Sequence, residues 1–143
     1  MTYDYQLTKL ANGTRIATVQ MPHMQTVSVG IWAGIGGRFE SRELSGVSHF
    51  IEHLMFKGTR DRNAKQLIQS VEGIGGYLNA FTTEDHTCYY AKAGSQHLET
   101  LSAVLCDMYL NSTFAPADIE REREVIREEI MMYRDHPAQH AQE

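Results

Sequence analysis

Two histidines four apart, His49 and His53, with Glu52 immediately before the second, stand inside the otherwise apolar run "SHFIEHLM". Residues four apart on a helix lie one above the other on the same face, so both imidazoles can reach a single metal ion. Glu52, three after the first histidine, shares that side and can take a proton from a metal-activated water without being a ligand itself. These are the three roles of the familiar H-E-x-x-H helix, in reversed order. The competing interpretation is an amphipathic helix whose histidines face solvent or a hydrogen-bonding partner. A glutamate on so apolar a helix favours the metal.

A catalytic zinc ion usually takes three protein ligands and keeps one position open, so the pattern demands a third ligand elsewhere. The run "EREREVIREEI", residues 120–130, is the place to look. Glu120, Glu122, Glu124, Glu128 and Glu129 interleave there with Arg121, Arg123 and Arg127, as on an exposed helix laced with ion pairs. Val125, Ile126 and Ile130 read as the buried stripe, flanked by Glu122, Glu129 and Tyr133. Glu122 and Glu129, seven apart, lie along one line. Periodicity admits Glu128 as readily as Glu129.

The elements that must position these groups follow from turn signals and apolar spacing. "YQLTKLANGTRIATVQ" reads as two strands around Asn12 and Gly13, a pair suited to a tight hairpin turn. "TVSVGIWAG" is a further strand, ending in "GIGG" at residues 34–37. Apolar residues at Val47, Phe50, Ile51, Leu54 and Met55 predict a helix from Ser45 to Phe56, with Ser45 as its cap. "NAKQLIQSVEGI" predicts a second helix capped by Asn63, followed by strands in "YLNAFTTE" and "TCYYAKA". Two longer helices follow, "SQHLETLSAVLCDMYLNS" and "APADIEREREVIREEIMMYRD", the latter bounded by Pro116 and Pro137. This order predicts an α+β fold, a largely antiparallel sheet with helices packed on one face. The second "GIGG", at residues 73–76, lacks the Lys-Ser/Thr of a phosphate loop, and both copies read as turn glycines.

The chain has 143 residues, one domain's worth, with thirteen basic against eighteen acidic side chains and a formal charge of −5. With no block of like charge, neither a nucleic-acid partner nor a membrane partner is expected. The start "MTYDYQLTKL" has no charged and apolar leader pattern, and no apolar run approaches bilayer length, which predicts a cytoplasmic protein. Two cysteines, Cys88 and Cys106, are too few for a disulfide scaffold and read as small buried apolar residues. His23, His97, His136 and His140 lack a partner at ligand spacing, and His86 in "EDHTCYY" reads as structural.

Three blocks in order, "GVSHFIEHLMFKGT", "GGYLNAFTTEDHTCYYAKA" and "EREREVIREEI", resemble the amino-terminal region of the inverzincin peptidases. That is the family of pitrilysin, insulysin and the mitochondrial processing peptidase, and the resemblance covers nearly the whole chain. It implies a pitrilysin-like amino-terminal domain and a zinc metalloendopeptidase holding one Zn2+ ion. His49 and His53 would be ligands, Glu52 the general base, and Glu129, 76 positions beyond His53, the third ligand. Glu122 would be the family's supporting glutamate. Asn79, Ala80 and Phe81 would belong to an edge strand that pairs with the peptide substrate as one more strand.

Members of that family are longer and pair this half with a second, similarly folded half that closes over the substrate. The resemblance therefore implies that residues 1–143 form a single zinc-binding domain, truncated at its carboxyl end, with weakened activity, a missing homologous half or subunit, and a tendency to self-association. A non-catalytic peptide-binding or structural subunit is the first alternative. The second, an S-ribosylhomocysteine lyase-like enzyme with a similar H-x-x-E-H helix, would need a cysteine as third ligand.

Overall fold

The computed structural model describes residues 5–135. Strands β1 (Tyr5–Lys9) and β2 (Arg15–Val19) form an antiparallel hairpin, Tyr5 opposite Val19 and Lys9 opposite Arg15. Its turn is wider than a two-residue one. Leu10 N–H donates to the Thr14 carbonyl (2.8 Å), Thr14 N–H to Asn12 Oδ1 (3.0 Å), and only Gly13 takes positive φ, at 88°. The hairpin forms a sheet of its own.

The second sheet is built from β3 (Thr26–Ala33), β4 (Tyr77–Thr82) and β5 (Thr87–Gly94), antiparallel throughout in the order β3-β5-β4. Side chains alternate between its faces, and Val27, Val29, Ile31, Leu78, Ala80, Tyr89, Ala91 and Ala93 all turn to the same side. Against that side pack α2 (Ala64–Glu72) and α3 (Leu98–Asn111). Leu67, Val71, Leu101, Leu105 and Met108 complete the core, each fully covered. Burying one such side chain contributes about 2 kcal/mol relative to leaving it in water. The fold is α+β with an antiparallel sheet and helices on one face. The opposite face carries Trp32, Tyr77, Phe81 and Tyr90, a band of aromatic rings.

Helix α1 (Val47–Met55) leans on β4, and α4 (Pro116–Arg134) packs on α1. Asn63 caps α2 as expected, in a reciprocal box with Gln66 (2.9 Å each way). Ser45 does not cap α1. Gly46 is the cap residue at φ 88°, and the carboxylate of Glu40 takes the free amides, Gly46 N–H at 2.5 Å and Ser48 N–H at 2.7 Å. Gly46 permits the left-handed turn, while an acid brought back by the intervening loop supplies the acceptor.

The first "GIGG" is more than a turn. A Cβ on Gly36 would sit 2.1 Å from the Thr83 carbonyl, so the backbone there must pass the β4–β5 connection without a side chain. Cys88 is buried as expected, but Cys106 is exposed on α3. Pro116 stands at the start of α4, whereas Pro137, His136 and His140 lie outside the described residues. Among the described residues, no helix is long and apolar enough to cross a membrane.

Candidate metal site

Helix α1 is short, and its amino end is fixed by Glu40 while its carboxyl end enters the core through Leu54 and Met55. Between these anchors one turn presents His49 and His53. Their rings meet edge to face with centroids 4.7 Å apart, and the two Nε2 atoms lie 3.1 Å from each other. Helix α4 brings Glu129 over them, its Oε2 3.9 Å from His49 Nε2 and 3.8 Å from His53 Nε2. Glu128 is exposed and Glu129 half-buried, so the packing of α4 on α1 selects between two glutamates that periodicity left equal.

The three atoms suit one small divalent ion. Ligands about 2.0–2.2 Å from a tetrahedral zinc stand roughly 3.3–3.6 Å from one another, and the separations found, 3.1, 3.8 and 3.9 Å, lie within a few tenths of an ångström to either side. Two imidazoles and a carboxylate are also a donor set that zinc accepts with one position left open. His49, His53 and Glu129 form a group of potential ligands, and neither cysteine belongs to it.

On α4 the inward face differs from the expected stripe. Val125 and Ile130, expected to be buried, are exposed, and the inward face instead runs through Ile119, Glu122, Ile126 and Glu129. Glu122 is the most buried residue of the helix at 2% exposure. One of its oxygens, Oε2, lies 3.2 Å from His53 Nδ1, and the other, Oε1, 2.5 Å from Lys57 Nζ. Charged residues counted on the polar face of a helical wheel conceal such a position. The seven-residue spacing to Glu129 is the sequence signal that marks it, and the resemblance implies its supporting place.

Glu52 stands outside the ligand group, and its Oε2 accepts a hydrogen bond from Thr82 Oγ1 at 2.5 Å. Thr82 ends β4 and so ties α1 to the strand that carries Asn79, Ala80 and Phe81. Sequence reasoning passed over both Thr82 and Lys57. The Tyr89 phenol is pushed up by burial, with the Glu52 and Tyr109 charges adding to the effect.

Among the described residues, strand β4 lies at the edge of its sheet and pairs only with β5. Ala80 N–H donates to Asn79 Oδ1 (2.9 Å), and Asn79 Nδ2 donates to Tyr77 Oη. His86 packs against Trp32 and Phe81, with centroids at 5.1 and 5.8 Å, on the aromatic face of the sheet.

Helix α3 carries a second buried carboxylate. Asp107 on α3 accepts from Thr59 Oγ1 (2.8 Å), Arg62 Nη1 (2.5 Å) and Asn111 Nδ2 (2.9 Å). Burial works against its ionisation, but these hydrogen bonds and the Arg62 charge outweigh it and hold the carboxyl below its usual value. The contacts clamp the loop that leaves α1 onto the end of α3.

Comparison with known proteins gives one consistent answer. A family profile described as "Insulinase (Peptidase family M16)" matches residues 15–143. A relative in Bacillus subtilis, named an uncharacterized zinc protease, is 44% identical over 126 residues, covering 88% of this chain and 31% of its own. A Mycobacterium leprae relative of the same description is 43% identical over 130 residues, covering 91% and 29%. The crystal structure of a protease from Helicobacter pylori superposes with a TM-score of 0.88 at 26% identity, over 92% of this chain and 32% of that one. The chain spans about a third of the length of the curated relatives it matches.

Proposed function

From the premise that this chain belongs to the insulinase family of peptidases, M16, we propose that it carries the zinc-binding unit of an endopeptidase that hydrolyses peptides or precursor proteins. His49 Nε2, His53 Nε2 and a Glu129 oxygen hold one zinc ion, and Glu122 orients His53 from behind. The observation that carries this reading is the meeting of those three ligand atoms, drawn from two helices far apart in sequence. Zinc, when bound, lowers the pKa of water and polarises the scissile carbonyl. Glu52 receives the proton of the attacking water at its carboxylate and returns it to the leaving amine. Thr82 holds that carboxylate in place from the end of β4.

The peptide adds to the free edge of β4 alongside Asn79, Ala80 and Phe81, its backbone supplying affinity. Residues 1–143 act as one domain, and a second homologous half or subunit encloses the substrate. The ligand atoms lie within residues 1–143 while enclosure falls to that half, which supports the expectation that these residues by themselves bind zinc more readily than they cleave peptide.

The test is zinc stoichiometry and affinity of the purified chain beside Glu129→Gln and Glu128→Gln. One tightly held ion, weakened at least tenfold by the first change and not the second, is expected. Equal affinity for both variants would remove Glu129 from the ligand set, and no zinc in any version would overturn the reading.

A further inference from the structure

Lys57 lies just beyond α1, four residues after His53 and past the cap residue Phe56. Its side chain is 31% exposed, so the stem is largely covered and the ammonium reaches inward. It meets Oε1 of Glu122 at 2.5 Å while Oε2 of the same carboxylate faces His53 Nδ1 at 3.2 Å. Among the described residues, no other cation lies at ion-pair distance from Glu122.

A carboxylate held at one oxygen can pivot about its last torsion. Held at both, it has one orientation, and here both holders come from α1 and the residues that continue it. A carboxylate only accepts, so the Nδ1 that faces it carries the ring proton of neutral His53 and leaves Nε2 bare. That bare Nε2 is the atom that faces His49 and Glu129. The grip also joins α4 to α1 at Glu122, two turns before Glu129.

We propose that Lys57 is a positioning residue for the metal pocket: its ammonium locks the buried Glu122 carboxylate in the orientation that presents His53 Nε2 and aligns Glu129. The inference rests on the zinc reading of that pocket, and it separates from it experimentally. The alternative is that Lys57 only offsets a buried charge and adds stability without shaping the pocket.

Lys57→Met and Lys57→Arg in this chain decide between these, with zinc affinity measured by chelator competition and the melting temperature of the metal-free chain as the fold control. Imidazole nitrogen shifts near pH 8 report the tautomer of neutral His53 without metal. The expected result is a wild-type ring protonated at Nδ1, zinc binding weakened about tenfold or more in Lys57→Met with mixed tautomers, and most of both restored in Lys57→Arg. Zinc affinity within twofold of wild type in Lys57→Met, with the tautomer unchanged, overturns the proposal even if the melting temperature falls. A wild-type His53 protonated at Nε2 overturns it directly, whichever variants fold. Should wild type hold no zinc, the pocket's zinc reading fails by that result alone, and the His53 tautomer in Lys57→Met still decides the role of Lys57.

Discussion

Glu122 and Asp107 are both buried carboxylates, 2% and 8% exposed, and both grip residues that closely follow the same short helix. They differ in what their partners do next. Asp107 is surrounded by Thr59, Arg62 and Asn111, whose hydrogen bonds to it hold one loop and one helix end together. Glu122 places an oxygen against a ring nitrogen whose opposite nitrogen faces a second histidine and a second glutamate. Burial alone therefore does not distinguish a structural acid from one that serves a site. The partner's second valence does, because orientation transmitted through His53 reaches the atoms that we propose as zinc ligands, while orientation held by Arg62 stays in the loop.

The sharpest way to break this distinction is to remove the structural acid. Asp107→Ala leaves the half-buried Arg62 and the buried Thr59 without their acceptor, and losing those hydrogen bonds costs about 2 kcal/mol. Urea unfolding should show a loss of that order, with zinc affinity of the folded fraction within about twofold of wild type. If zinc affinity drops along with stability, the two acids are not separate devices.

Glu122→Gln tests the other side with a smaller effect on the fold. The amide keeps the side chain's shape but offers one acceptor where the carboxylate offers two, so it serves His53 or Lys57 and not both. Zinc affinity should fall by about 10–100-fold, as for other groups that orient a ligand from behind. Unfolding free energy should change by about 1 kcal/mol. A variant that loses more stability than Asp107→Ala and keeps its zinc would reverse the two assignments.

The contrast also explains what could be read before folding. The strands, the four helices and the Asn63 cap were legible because each depends on neighbours within a few residues: alternation, apolar spacing, a box of two side chains three apart. The α+β class followed from their order. What stayed hidden depends on packing between distant segments. Ser45 was the local candidate to cap α1, yet Glu40 does so because two 3₁₀ turns, Gly37–Phe39 and Arg42–Leu44, fold the chain back. Val125 and Ile130 looked like the buried stripe of α4, but that helix rests on a surface of histidines and a lysine, so Glu122 and Glu129 share its inward face with Ile119 and Ile126. Periodicity likewise left Glu128 and Glu129 equal until α4 met α1, although the resemblance pointed to Glu129.

Glu40 offers the smallest and most specific test, because it anchors the other end of α1 and titrates. Burial works against its ionisation, but the amide and hydroxyl of Ser48 and the amide of Gly46 outweigh it and hold the carboxyl below its usual 4.5. A depressed folded value means that the stabilisation is complete above the unfolded value and is lost as pH falls through the lower, folded one. Asp107 titrates with the same sign, so acid unfolding of the wild type sums both groups. Glu40→Gln keeps one acceptor for the helix amides but no charge, and should cost about 1 kcal/mol at neutral pH. The difference between wild type and variant, followed by thermal melts from pH 7 down to about pH 3, should shrink toward zero as the wild-type carboxylate is protonated. A difference that stays constant across that range would mean that Glu40 holds α1 by shape alone, and the amino end of the helix would then owe nothing to charge.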